Sequence, residues 1–487
     1  MPKKKKSNSE TRQKKNYSGI EDHTRKGKVL LPPFATLPNF KLASWRNERL
    51  PEFLWACILV SNDRESALDT FRKVVEYIVK NAPDAAQKIS HSGLSELDEG
   101  IQKGIISVIT NSHANRKVLH SLLLFDGLPA RKQWENYLPK EDKIDIAPLL
   151  NGVARTLEHQ SQEATDCRWL RVVALLMAGK LHMHDKETIE EIIFYPKKGD
   201  IKKVRPTIRA MEGAFSDLLK STTNWPINFW EEALKKTECY ILPSESQFEI
   251  KMGTTSAHVN QVYQALGKHM CNTFSTSTID PKHDTTFGLG LYSLSILNEL
   301  LRLGNATSIL AREGLRTITE CLITLNYLTI KNDESLWQAF RVYGAGQTKL
   351  AFIKLDELDQ NPSFVDKNSL QQLANEDMWL EYLNINLGNW NNTDLRNMSI
   401  EVGLKDIYDK YYPWTSSFGH GNWGAVRDTV FETCGNPLHR LHRIPRNNPR
   451  MLPDVILDTC FLIDKILEIV SKSYPDFDFR VTLNQLV

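Results

Sequence analysis

From about residue 45 to the C-terminus, apolar side chains recur at spacings of three and four, and no segment sustains the period-two alternation of a strand. That pattern restricts the chain to packed helices. Leu50, Phe53, Leu54, Cys57 and Ile58 open it, with Pro51 placed in a first turn. Leu68, Phe71, Val74, Val75 and Ile78 carry it onward. Further helices are expected over 146–159, 165–181, 207–220 and 226–237, then over 257–272, 289–302, 306–330, 333–355, 366–385, 399–411 and 452–473. Asn151-Gly152, a hairpin dipeptide in other settings, lies beside one of these helical patterns. Nothing repeats at a fixed period of tens of residues, which excludes a solenoid.

A chain of 487 residues has room for more than one core. The stretch 239–256, with Tyr240-Ile-Leu-Pro-Ser-Glu-Ser246, reads as a connector. The expected fold class is therefore all-α, with two helical domains at 39–250 and 251–487. Residues 1–38 form a basic disordered tail and an extended lead-in. Net charge is only +2, which excludes a chain that is basic throughout, but ten basic residues face three acidic ones in residues 1–28. The body behind that arm is mildly acidic.

The longest apolar runs are short, Phe53 to Val60 being one, so no membrane span is expected. The basic start has no apolar stretch after it, unlike a secretory signal. Seven scattered cysteines without a C-x-x-C pair fit a reducing compartment, and the expected location is cytoplasmic.

Two polar constellations stand out in the C-terminal half. Arg312, Arg316, Glu320, Thr324 and Tyr327 share one drifting face of a helix, opposite Leu315, Ile318, Leu322 and Leu325. Downstream, Tyr412, Ser416 and His420 are again four apart, and Gly419 and Gly421 flank the histidine. Pro413 is expected to interrupt one helix and open the next. Histidine is suited to proton transfer near neutral pH, although a histidine beside aromatics is commonly structural. A polar helix face is likewise commonly a solvated one.

Residues 312–327, Trp379 and Tyr408 to Gly421 resemble the helical domain of a microbial family of unknown function, marked by an Arg/Glu-bearing helix, a Tyr-x-x-Tyr, a Ser and a His-Gly. The resemblance spans about residues 285–435. That domain is similar in outline to the HEPN class of helical nucleotide-binding domains, frequent in phage-defence systems, where many members cut RNA. The resemblance implies a HEPN-like helical bundle and a metal-independent ribonuclease. His420 would act as general acid/base, Arg312 and Arg316 as phosphate ligands with Glu320 orienting one of them, and Tyr327, Tyr412 and Ser416 as substrate-binding groups. HEPN nucleases carry an Arg with a His five to seven residues later. Here Arg427 follows His420 instead, so the set must assemble between helices.

Other signals are weaker. His420, Cys434, His439 and His442 fall within 23 residues, but their spacing matches no common zinc pattern, and no metal and no cofactor are expected. Gly344 to Lys349 lacks the spacing of a phosphate loop and follows a helical stretch. Trp45 to Ala56 is dense in aromatic and charged groups; Arg46, Glu48, Arg49 and Glu52 suggest a capping or interface network anchored by Trp45 and Trp55. Basic patches lie at 195–205 and 439–446.

Two functional readings follow. One is a defence or stress effector whose C-terminal domain acts on or binds RNA or a nucleotide, with a protein partner encoded nearby or a second copy of itself. The other is a non-catalytic helical interaction or regulatory protein, in which the Arg-Glu-Tyr-His set is a structural network. The two differ in whether that set lines an open cleft or is sealed among helices.

Overall fold

A computed structural model of the chain describes residues 23–31, 44–182, 185–214, 223–241, 253–358, 362–375 and 383–483. Trp379, most of the basic arm, the Pro-rich lead-in and the centre of the 239–256 connector lie outside the described residues. Helices dominate the described residues, as their periodicity requires, and the four strands are three residues each. No described helix is long and apolar enough to cross a membrane.

Inside the segment expected as a disordered tail, β1 (Thr24–Lys26) and β2 (Val29–Leu31) pair antiparallel, Thr24 opposite Leu31. Gly27, at φ 61°, supplies the left-handed residue of the turn.

The chain divides into two compact units. The first comprises Met1–Leu242 and Thr433–Arg443, the second Pro243–Glu432 and Ile444–Val487. A single boundary near residue 250 does not describe this division, because residues 433–443 pack with the first unit.

Seven longer helices build the first unit: α1 (Leu54–Asn62), α2 (Arg64–Asn81), α3 (Glu99–Ile109), α4 (Ala147–Thr156), α5 (Gln162–Met177), α6 (Ile201–Ala214) and α7 (Trp225–Lys236). Short polar side chains start several of them. Asp63 accepts from Ser66 N at the head of α2, and Ser161 accepts from Ala164 N at the head of α5. Every residue of α1 from Leu54 to Ser61 is buried, and so is every residue of α5 from Ala164 to Leu175. α1 is apolar on nearly all sides, which suits the centre of a core, whereas α5 also buries Asp166, Arg168 and Arg171. α1 accordingly packs against α2, α4 and α5. Gly152 of α4 allows the closest approach: a Cβ there would lie 3.0 Å from Ile58 Cα.

The second unit contains α8 (Ser256–Asn272), α9 (Pro281–Arg302), α10 (Ile309–Lys331), α11 (Glu334–Asp356), α12 (Leu395–Glu401), α13 (Lys405–Gly419), α14 (Trp423–Val430) and α15 (Ile456–Ser473). α10 is its centre, packed against α9, α12, α13 and α15. Ser308 caps its start and Asn332, at φ 46°, ends it. Asp280 and Pro281 open α9 in the same way as a cap followed by a first-turn proline.

Three helix expectations are corrected. Of the helix expected over 366–385, the described residues are helical only over Lys367–Ala374. The segment 399–411 is not one helix: it breaks at Gly403, φ 72°, between α12 and α13. Pro413 does not end a helix either, but sits exposed inside α13. Burial of Tyr411, Thr415 and Phe418 on either side of it outweighs the hydrogen bond that proline cannot donate.

Candidate functional site

The polar face of α10 divides along its length. Arg312, in the first turn, is buried, and its guanidinium donates to the carbonyls of Ala306 (3.5 Å), Ser308 (3.2 Å) and Pro453. Burial pushes its pKa down to about 10, with Asp454 and Asp428 pulling the other way. All its contacts are internal, so Arg312 joins the start of α10 to the segment ahead of α15.

One turn on, Arg316 is partly exposed and held from several sides. Its Nε donates to Glu320 Oε1 at 3.1 Å and a terminal nitrogen to the Tyr412 hydroxyl at 3.4 Å. Glu313 lies 3.8 Å away, and the Tyr412 ring centroid lies 5.3 Å from the guanidinium carbon. Tyr412 in turn stacks on Tyr408, ring centroids 5.0 Å apart. The end of α13 comes close to this cluster because residue 419 is glycine. A Cβ there would meet both Glu313 carboxylate oxygens at 2.8 Å and an Arg316 nitrogen at 2.9 Å.

His420 closes α13, its amide donating to Ser416 O at 3.2 Å. Its imidazole is exposed and makes no hydrogen bond among the described residues. Ser416 is half-buried one turn before it. Tyr327 belongs to a different place. Eleven residues along α10 from Arg316, or about 16 Å, it is buried beside Ile323 and Met398, with Trp390 at 6.1 Å between ring centroids. The fold thus gathers Arg316, Glu320, Tyr412 and the α13 end that carries Ser416 and His420, and it leaves Arg312 and Tyr327 elsewhere.

The periodic reading passed over the groups around His420. Trp414 on α13 is 51% exposed and Trp423 at the head of α14 is 62% exposed. The Trp414 ring rests on α14, where a Cβ on Gly424 would touch it at 3.4 Å. Arg427 shares a face of α14 with Trp423, is exposed, and has no partner among the described residues. The signal was present in the sequence as tryptophans on both sides of His420-Gly421. Aromatic residues are usually read as core, which hid it.

The N-terminal network is real but sealed. Trp45 Nε1 donates to Thr156 O at 2.6 Å, Arg46 Nε to Leu157 O at 2.8 Å and Trp55 Nε1 to Ile89 O at 3.2 Å. Glu52 accepts from both the amide (2.9 Å) and the hydroxyl (2.6 Å) of Ser92. Three buried arginines converge on Glu212 of α6: Arg171 at 2.8 Å, and Arg49 and Arg168 at 3.4 Å. Arg168 also lies over the Trp45 ring at 4.4 Å. Such a cluster binds α5, α6 and the Trp45–Arg49 turn together, and its four charged side chains are buried among the described residues.

Gly344 to Lys349 lies inside α11, so its backbone amides are spent on the helix. In the basic patches Arg205 is held by Tyr195 and Gln162, Arg440 by Asn47 and Arg446 by Glu432. The four residues weighed for zinc separate: His420 stays with the second unit, and Cys434, His439 and His442 meet Cys239 in the first.

Residues 293–436 match the model of a family of unknown function, DUF5677. No curated protein matches the chain. No solved structure matches it either.

Proposed function

We propose that the C-terminal unit binds RNA or a nucleotide at the turn joining α13 to α14, in a microbial defence or stress effector. The observation that carries this reading is the exposure of Trp414 and Trp423 on either side of His420. An indole left in water is a stacking platform for an unpaired base, worth about 1–3 kcal/mol per base. Arg427, uncommitted beside Trp423, supplies a cation for phosphate. Arg316, Glu320 and Tyr412 sit behind the turn and fix the end of α13, while Arg312 serves the fold. In the HEPN-like form of the proposal, the site cuts RNA without metal. His420 then takes the proton of a 2′-hydroxyl as that oxygen bonds to the adjacent phosphorus, and returns it to the departing 5′-oxygen, leaving a 2′,3′-cyclic phosphate and a 5′-hydroxyl; Arg427 or Arg316 steadies the charge on the phosphate.

The test uses full-length protein with labelled single-stranded RNA and with free nucleotides, read by anisotropy and tryptophan quenching. Trp414→Ala with Trp423→Ala is expected to weaken binding tenfold or more, with the helical circular dichroism unchanged. His420→Ala is expected to abolish cleavage of total RNA while retaining binding. Absence of saturable binding to either ligand ends the proposal, and binding without His420-dependent cleavage ends its nuclease form.

A second reading is favoured by the internal partners that Arg312 and Arg316 already hold. In it the network is structural, and the exposed indoles with Arg427 dock a protein partner, for which Trp and Arg are the usual anchors. A change of oligomeric state in light scattering on mutating Trp414 and Trp423, with no RNA binding, selects it.

A further inference from the structure

Cys239, Cys434, His439 and His442 converge in the first unit, their ligating atoms all within 4.8 Å of one another. Cys239 follows α7, and the other three lie on the excursion between β3 (Phe431–Thr433) and β4 (Arg443–Pro445). Cys239 Sγ is 3.5 Å from His439 Nδ1 and 3.3 Å from His442 Nε2, and Cys434 Sγ is 3.4 Å from His439 Nδ1. We propose that these four side chains bind one zinc ion as a structural, four-coordinate site. A tetrahedron with Zn–S near 2.3 Å and Zn–N near 2.0–2.1 Å has sulfur–nitrogen edges of roughly 3.5 Å, and the observed contacts are close to that length.

Hydrogen bonding alone does not account for the cluster. The lone pair of His439 Nδ1 faces two sulfurs, Cys239 and Cys434, and can accept from only one thiol. Cys239, with a single proton, faces two imidazole nitrogens. A cation at the centre uses all four donors at once.

The surroundings set the histidine for ligation. Thr237 donates its hydroxyl proton to Ala233 O at 2.7 Å, which leaves its oxygen as an acceptor for His439 Nε2 at 3.0 Å. Nε2 therefore carries the hydrogen and Nδ1 the free lone pair, the tautomer required of a ligand. Asn436, fully buried, donates its amide to Cys434 Sγ at 3.4 Å and its side chain to Thr237 Oγ1 at 3.1 Å and Glu238 O at 2.7 Å. An N–H directed at sulfur stabilises a thiolate. Between the two histidines, Arg440 and Leu441 both take left-handed backbone conformations, φ 48° and 57°. A leucine there is strained, and the turn these two residues make, closed by His442 N donating to His439 O at 3.0 Å, brings both histidines to the cluster.

Two thiolates and two imidazoles with no oxygen donor select zinc over magnesium or calcium, and four protein ligands leave no open position for catalysis. The site clips the 434–442 excursion to the segment after α7. This inference is independent of the RNA reading, since it concerns other residues in the other unit.

The test is the metal content of reduced, tag-free full-length protein by mass spectrometry, with cobalt(II) exchange read by visible absorption. One zinc per chain and the intense d–d bands of tetrahedral cobalt with thiolate charge transfer are expected. Cys239→Ser and His442→Ala, each at an exposed or half-buried ligand, are expected to lose the metal; Cys271→Ser, at an exposed cysteine of the second unit, is expected to keep it. Thr237→Val should weaken zinc binding about 10- to 100-fold. Circular dichroism checks that the variants fold, and the cobalt spectrum of the unaltered protein decides the matter if they do not. Fully reduced protein that takes up neither metal, or zinc retained in the Cys239→Ser/His442→Ala double variant, overturns the proposal.

Discussion

At the scale of single residues, polarity in this sequence is a poor guide to exposure. Arg312 and Arg316 are one turn apart on the same helix face, yet one is consumed by backbone carbonyls and the other meets solvent. His91 is the sharper case. Its side chain is fully buried with Trp134 and Trp225 at 5.6 and 5.9 Å between ring centroids, and neither ring nitrogen has a hydrogen-bond partner among the described residues. Burial pushes its pKa down to about 3. It is neutral in the folded chain, while the unfolded chain takes up a proton below about 6.5. The folded pKa is the lower one, so stability is intact above pH 6.5 and falls as the pH drops towards 3, by on the order of 3 kcal/mol at pH 4. Urea unfolding at pH 7 and pH 4.5 should therefore show a larger loss for the natural protein than for His91→Leu. Equal losses would place the acid sensitivity elsewhere.

Elements are where the sequence was most legible. The 3.6-residue period located α8, α10, α11 and α15 to within a few residues, the first, second and fourth because each has a face in a core, α11 although only its Trp337 and Gly346 are buried. It failed where tertiary packing overrules a local rule. Pro413 reads locally as a stop, although buried neighbours carry α13 through it. Asn151-Gly152, by contrast, lies within α4 as its helical pattern predicts, and the glycine serves the contact with Ile58. The Arg316–Glu320 pair was legible from its four-residue spacing, whereas the reach of Arg316 to Tyr412 on another helix was not. Neither was the buried charge cluster of the first unit, whose members come from three distant elements. That cluster is testable. Glu212 is the carboxylate shared by Arg49, Arg168 and Arg171, and burial already pushes Arg171 down to about 9 despite Glu212. Removing the shared anion takes a close counter-charge from three buried cations, at a cost of about 3–5 kcal/mol. Glu212→Ala should lower the denaturation midpoint of the first unit accordingly, and a change within about 0.5 kcal/mol, the range of an ordinary surface substitution, would refute this role.

On the scale of the whole molecule, each unit has its own core, but the first one borrows from the far end of the chain. Leu438 is fully buried in that core, Leu441 packs beside it, and Gly435 donates its amide to Tyr240 O at 2.7 Å. No local pattern announces such a return, which is why a single boundary was expected from sequence. It also hid the cysteine–histidine cluster, since Cys239 stands far from its partners along the chain. A fragment ending at residue 242 lacks these contacts. It is expected to unfold at a lower denaturant concentration than the same unit in the intact chain, as tracked by fluorescence of its buried tryptophans; an identical midpoint would make the excursion dispensable.

The same return imposes a schedule on biosynthesis. When Leu242 leaves the ribosome, about 200 residues separate it from Arg443. At about 5–20 residues per second that is roughly 10–40 s of translation. Throughout that interval the nascent first unit carries an unfilled apolar seat and the thiol of Cys239 without its neighbours. Chaperone demand and vulnerability to proteolysis should therefore rise once Leu242 has emerged and subside only when residues 433–443 have been made.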